Sequence, residues 1–143
     1  MSKPAGNLHR FPLRIYYEDT DAGGIVYYAN YLRYAERART EMLRELGVES
    51  SRLMRDSNVA LAVRWCVVEY LRPAILDDHL VVETSLLRVG GATLEAIQTV
   101  RRQDADLVRI DLKLGCMSID GGAARLPETL RETSSGLIKS NGH

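Results

Sequence analysis

Apolar residues recur at helical spacing in one stretch of this chain and at alternate positions in most of the rest. Tyr31, Ala35, Ala38, Met42 and Leu46 stand four, three, four and four residues apart. That spacing predicts one amphipathic helix from about Asn30 to Leu46, with a single buried stripe. Arg37 and Glu41 lie four apart on its outer face, and Gly47 is placed to end it. The alanines within the stripe allow a second layer to approach the helix axis closely.

Before this helix, residues 12–18 are short, β-branched and aromatic, and lead into Asp-Thr-Asp-Ala-Gly-Gly. The pattern predicts a strand followed by a tight loop. After a polar segment from Glu49 to Asn58 the period becomes two. Leu61, Val63, Trp65 and Val67 are expected on one strand face, with Arg64 on the other. Leu-Arg-Pro-Ala at 71–74 breaks that strand. Residues 79–88 form a second run, with Leu80, Val82 and Leu86 on one side. Gly90-Gly91 reads as a hairpin turn. The run 92–102 alternates less cleanly. The last run is the clearest, with Val108, Ile110, Leu112 and Leu114 inward and Arg109, Asp111 and Lys113 outward.

Alternating strands imply an antiparallel sheet with one covered face, and the long helix is the available cover. The fold class is therefore α+β, in a single domain over 1–131, with 132–143 as a frayed tail. One helix covers a five-stranded sheet poorly and leaves strand edges open. Self-association is the expected remedy.

Composition narrows the function. The chain has 143 residues, 45% hydrophobic and 27% charged, which fits a globular domain that needs no disulfides. Nineteen basic and nineteen acidic residues cancel, which argues against a general nucleic-acid or membrane-surface binder. Among the basic residues only Lys3, Lys113 and Lys139 are lysines. Arginine forks suit phosphate groups, although a bias in base composition gives the same pattern. Cys66 and Cys116 fall in strand patterns and read as buried reduced thiols. No apolar run approaches the ~20 residues of a membrane span. The first ten residues lack the apolar core of a signal peptide, so a cytoplasmic location is expected.

The chemistry concentrates in residues 16–31, where Glu18, Asp19 and Asp21 abut Gly23-Gly24 and three tyrosines follow: Tyr27, Tyr28 and Tyr31. Asp19 to Gly24 imitates the opening of a calcium-binding loop. The imitation then fails, because Asn30 stands where a bidentate Glu is required and no helix precedes. Turn formation and helix capping account for Glu18 and Asp19. A carboxylate beside a helix N-terminus offers more. It stays ionised at neutral pH, while free backbone N–H groups there can stabilise an oxyanion, each worth on the order of 3 kcal/mol. Such machinery suits an activated acyl group such as a thioester. An unactivated amide is a poor match, since His9, His79 and His143 form no evident pair with a nucleophile.

The run Tyr-x-Asp-Thr-Asp-Ala-x-Gly-x-Val-Tyr-x-x-x-Tyr, here Tyr17 to Tyr31, resembles the signature of hotdog-fold acyl-CoA thioesterases. More narrowly it is similar to the 4-hydroxybenzoyl-CoA thioesterase-like group and its Tol-Pal-associated YbgC branch. The continuation Tyr34-Ala35-Glu36-Arg37-Ala38-Arg39-Thr40-Glu41-Met42-Leu43 matches that branch, as do Val67 to Tyr70 and Pro73-Ala74. The resemblance covers about residues 12–119.

It implies a hotdog fold, a five-stranded antiparallel sheet wrapped around one long central helix. It also implies hydrolysis of an acyl-CoA to a carboxylic acid and free CoA. Asp21 would be the catalytic carboxylate, as nucleophile or general base, and the Tyr28 backbone N–H the oxyanion donor. The family needs no metal and no cofactor, coenzyme A being part of the substrate. Its members place active sites at homodimer interfaces and often pair into homotetramers. YbgC proteins often have His where this chain has Tyr28, a change that a backbone donor survives.

Substrate-binding candidates are Gly24, Tyr27, Trp65 and Tyr70, with Arg88, Arg101 and Arg109 for CoA phosphates. A related layout uses a helix Glu, for which Glu36 and Glu41 are available. A hotdog hydratase or dehydratase, or a non-catalytic acyl-group or protein-binding module of an envelope complex, are the alternatives.

Overall fold

A computed structural model describes residues 8–141. Its central layer is one antiparallel sheet of five strands in the order β1-β3-β4-β5-β2. In chain order these are β1 (Leu8–Arg14), β2 (Val59–Tyr70), β3 (His79–Val89), β4 (Thr93–Arg102) and β5 (Ala105–Ser118). Helix α1 (Asn30–Glu45) buries Tyr31, Tyr34, Ala35, Ala38, Met42 and Leu43. This is the long helix and antiparallel sheet of the hotdog arrangement, and α1 begins where the stripe predicted.

A polar pin fastens helix to sheet. Gln98 is fully buried on β4, and its Nε2 donates to the Ala35 carbonyl (2.9 Å) and to Thr84 Oγ1 (3.0 Å). Arg39 Nη1 donates to Gln98 Oε1 at 3.0 Å. Both amide N–H groups and the amide oxygen of Gln98 thus have partners, as a buried amide requires. Gln98 is also why 92–102 alternates poorly in sequence. In the fold β4 alternates strictly, with a polar residue at an inward position.

Several elements differ from expectation. The first strand is Leu8–Arg14 rather than 12–18, and Tyr17–Asp19 forms a 3-10 turn. The turn forms because the Tyr16 N–H donates to the Asp19 carboxylate at 2.7 Å, which removes that donor from any ladder. Pro12 is tolerated because β1 is an edge strand.

On β2 the period slips. Val63 pairs with Leu114 but Trp65 pairs with Lys113, so Arg64 is bulged out of register. The bulge places Leu61 and Val63 on the helix side and turns Trp65 and Val67 to the outer face. Gly115 permits this. A Cβ there would sit 2.6 Å from Arg64 Cδ, so the bulged side chain passes over bare backbone.

The polar segment after Glu49 is helix α2 (Ser50–Ser57), which tucks Leu53 against the core and stops at Asn58 in the left-handed region. The segment expected to fray from Glu132 instead lies within helix α3 (Glu128–Asn141). It packs near β3 and buries Leu130 and Ser134. Residues 142 and 143 lie outside the described residues. Cys116 is buried, and burial pushes its thiol pKa up, but Cys66 on edge strand β2 is exposed. No helix among the described residues is long and apolar enough to cross a membrane.

Candidate active site

The acidic loop is a short hairpin anchored at both ends. Asp21 N–H donates to the Ile25 carbonyl (2.9 Å), Gly24 N–H donates to the Asp21 carbonyl (3.0 Å), and Thr20 bridges Val26. Gly24 has φ +82°, a conformation that strains any side chain. Within this turn Asp21 Oδ1 accepts the Gly23 N–H at 2.8 Å. Its other carboxylate oxygen has no hydrogen-bond partner among the described residues, and the residue is exposed. Glu18 is exposed beside it.

Asp19 faces the other way. Its carboxylate closes the 3-10 turn, and its carbonyl accepts the Tyr27 N–H at 3.0 Å and Asn30 Nδ2 at 2.9 Å. One helical turn beyond Asn30, the buried Tyr34 hydroxyl has no hydrogen-bond partner among the described residues. Burial first, and then the Asp19 carboxylate, push its pKa well above the ordinary phenol range.

The hairpin delivers the chain to the start of α1. Val26 N–H donates to the Ala74 carbonyl (2.9 Å) and Asn30 N–H to the Tyr27 carbonyl (2.9 Å). No acceptor meets the N–H groups of Tyr28 and Ala29 among the described residues, and Ala29 cannot cap a helix with its side chain. These bare donors sit at the positive end of the helix dipole. Tyr28 stacks edge-on with Tyr70 at 6.0 Å and lies 5.0 Å from the Tyr27 ring. Partial burial, then Tyr28 and Cys66, raise the Tyr70 hydroxyl pKa. Beneath them Tyr31 is buried and accepts the Ala74 N–H at 2.9 Å.

Two hollows flank this hairpin. One of about 480 Å³ is lined by Asp21, Gly24, Tyr17 and Leu76. The other, about 280 Å³, is lined by Tyr28, Tyr70, Val26 and Leu71. Tyr27 stands beside Tyr28, and its ring is half exposed. The structure thus groups Tyr27, Tyr28 and Tyr70, but puts Asp21 and Gly24 in the neighbouring hollow. Trp65 lies on the outer face of β2, away from both.

The candidate phosphate residues separate. Arg88 lies next to the β3–β4 turn, exposed, 3.8 Å from Glu95. Arg101 and Arg109 lie at the opposite end of the sheet, in a groove of about 840 Å³ near the β4–β5 turn. There Arg101 pairs with Asp106 at 3.0 Å and Arg109 with the same carboxylate at 3.2 Å. Arg72, which the sequence reading passed over, lines both this groove and the Tyr28 hollow. Glu36 is exposed on α1, and Glu41 pairs with Arg44 at 3.3 Å. Among the described residues no group of three or more His, Cys, Asp or Glu could hold a metal ion.

An acidic hairpin thus leads into a bare helix start packed against a five-stranded antiparallel sheet. The chain belongs to the thioesterase-like superfamily, whose family model matches residues 16–133. It is similar to the acyl-CoA thioesterase YbgC of Haemophilus influenzae, 43% identical over 109 residues, which are 76% of this chain and 80% of that protein. Against the acyl-CoA thioester hydrolase YbgC of Escherichia coli O6:H1 it is 48% identical over 93 residues, 65% and 69% of the two chains. A crystal structure of a probable thioesterase from Bartonella henselae superposes with a TM-score of 0.81 at 32% identity, covering 84% of this chain and 99% of that one.

Asn30 was missing from the candidate residues. A signal was available: a side chain able to hydrogen-bond backbone stood at a predicted helix start, next to a residue already chosen for its N–H.

Proposed function

We propose that this protein hydrolyses the thioester of an acyl-CoA to a carboxylic acid and free CoA. The observation that carries the reading is the conjunction at one hairpin of an exposed carboxylate, Asp21, with unpaired Tyr28 and Ala29 N–H groups. The similarity to YbgC acyl-CoA thioesterases supports it. In this mechanism the helix-start N–H groups receive the negative charge that develops on the carbonyl oxygen as the thioester is attacked. Asp21 either attacks the carbonyl, forming a mixed anhydride and releasing the CoA thiolate, or draws the proton from an attacking water. Tyr27, Tyr28 and Tyr70 flank the acyl group. The substrate places the enzyme in the cytoplasm.

The working unit in this reading is a homodimer or homotetramer with interface sites. Edge strand β2 has an open side, and its Val63, Trp65 and Val67 are 47%, 45% and 62% exposed. A second copy would cover them, and it would also close the hollows at the hairpin.

Thiol release from short-chain, long-chain and aromatic acyl-CoAs, with wild type and Asp21→Asn, tests the activity. At least one substrate should turn over with wild type and not with the variant. Wild type inert toward the whole panel would favour a binding module instead. A single turnover in oxygen-18 water, with mass spectrometry of the Asp21 peptide, bears on the two roles: label in the peptide means nucleophile, and its absence counts against that role.

A further inference from the structure

We propose that Asn30 is a positioning residue that fixes the Asp21 hairpin to the oxyanion donors; this rests on the acyl-CoA hydrolase reading. Asn30 is the first residue of α1, one position past Ala29, the N-cap from which an asparagine side chain would accept a helix N–H. Its Nδ2 reaches away from the helix to the Asp19 carbonyl, 2.9 Å distant and eleven residues back in the chain.

That carbonyl also accepts the Tyr27 N–H at 3.0 Å, so both of its lone pairs are engaged. The Tyr27 carbonyl in turn accepts the Asn30 N–H at 2.9 Å. A closed ring of three hydrogen bonds therefore joins Asp19, Tyr27 and Asn30.

The position of this ring gives it a consequence for catalysis. Asp19 lies two residues before the Asp21 carboxylate, and the peptides of Tyr28 and Ala29 lie between the ring's other two members. The distance and direction from carboxylate to donors are set through it. The partly buried Asn30 amide needs no substrate contact for this effect.

The experiment is steady-state kinetics of Asn30→Ala and wild type on a hydrolysed acyl-CoA, with thermal melts of both. Misplacing a catalytic group by about 1 Å costs on the order of a hundredfold in rate. The expected result is a kcat about 10–100-fold lower with KM within about twofold, measured well below either melting temperature. In addition, amide exchange at Tyr27 should quicken in the variant. Asn30→Asp, equal in volume but without the donor, carries the same expectation should Asn30→Ala fold poorly. Wild-type kcat in the variant would overturn the inference, as would a loss that disappears once the folded fraction is corrected for. An inactive wild type would sink the hydrolase reading itself and this inference with it, an outcome distinct from an active wild type with an unaffected variant.

Discussion

The middle of α1 and its beginning face the same sheet with opposite treatment of polar groups. In the middle, the fully buried Gln98 bonds the Ala35 carbonyl, Thr84 and Arg39 together. At the beginning, two N–H groups have no acceptor among the described residues, an aspartate stands in solvent and the Tyr27 and Tyr28 rings are half exposed or more. A helix gains nothing in stability from bare donors and exposed rings. The contrast teaches that the middle of α1 is committed to stability, while its beginning leaves donors free for the oxyanion role proposed above. Burial itself sorts the side chains: Gln98 is inaccessible to any substrate, whereas Asp21 is accessible and little used by the fold.

Each prediction is a way to break that contrast. Asp21→Asn should have the largest effect. Removing the carboxylate should lower kcat by about 10²–10⁴-fold, the range for a positioned acid or base, in the acyl-CoA assay. Its denaturation midpoint should stay close to wild type, because the residue is exposed and holds only the Gly23 N–H.

Gln98→Ala should do the reverse. It removes the partner of the Arg39 guanidinium and of Thr84 Oγ1 beside the core, which should cost about 3 kcal/mol by chemical denaturation while kcat stays near wild type. A full loss of turnover at intact stability would merge the two regions instead of separating them.

Gly24→Ala probes the hairpin with a smaller change. No atom obstructs the new methyl, so the strain comes from φ +82° alone, on the order of 1 kcal/mol. Turnover should fall further than stability, since the strain is applied beside Asp21.

The pH dependence of stability gives the smallest effect. Burial raises the pKa of both Tyr31 and Tyr34 above the ordinary 10.0. The unfolded chain therefore loses these protons first as the pH passes about 10, while the folded protein keeps them. Their contribution is complete below pH 10 and declines as pH rises toward the folded pKa values, by at most ~1.4 kcal/mol per pH unit for each group. Tyr34→Phe should make that decline shallower in denaturation curves recorded from pH 9 to 11. Equal slopes would mean that Tyr34 takes no part.

The same contrast divides what the sequence made legible. The stripe from Tyr31 to Met42, the inward row of β5 and the hairpin at Asp21 each depend on neighbours a few residues away, and all were readable. What escaped depends on distant partners. The bulge at Arg64 exists because Gly115 lies opposite, so Trp65 was expected beside Leu61 and is found on the other face. Gln98 broke an alternation that only α1 restores, by supplying a carbonyl and an arginine to meet it. Arg101 and Arg109 showed their charge in sequence but not their shared partner Asp106, which the β4–β5 pairing sets opposite Arg101. At the site, chain order marked Asp21 and Tyr28 but hid the bond from Asn30 to Asp19, because it closes a loop rather than a helical turn.

The central claim is that Asp21 at the head of α1 acts on the acyl group, and single-turnover kinetics test it most directly. With enzyme in excess over an acyl-CoA that wild type hydrolyses, and at a concentration where the observed rate no longer rises with enzyme, neither substrate binding nor product release limits that rate. The account predicts that Asp21→Asn cleaves the bound thioester at least about a hundredfold more slowly than wild type while remaining as stable. Cleavage by Asp21→Asn within about threefold of the wild-type rate would contradict it.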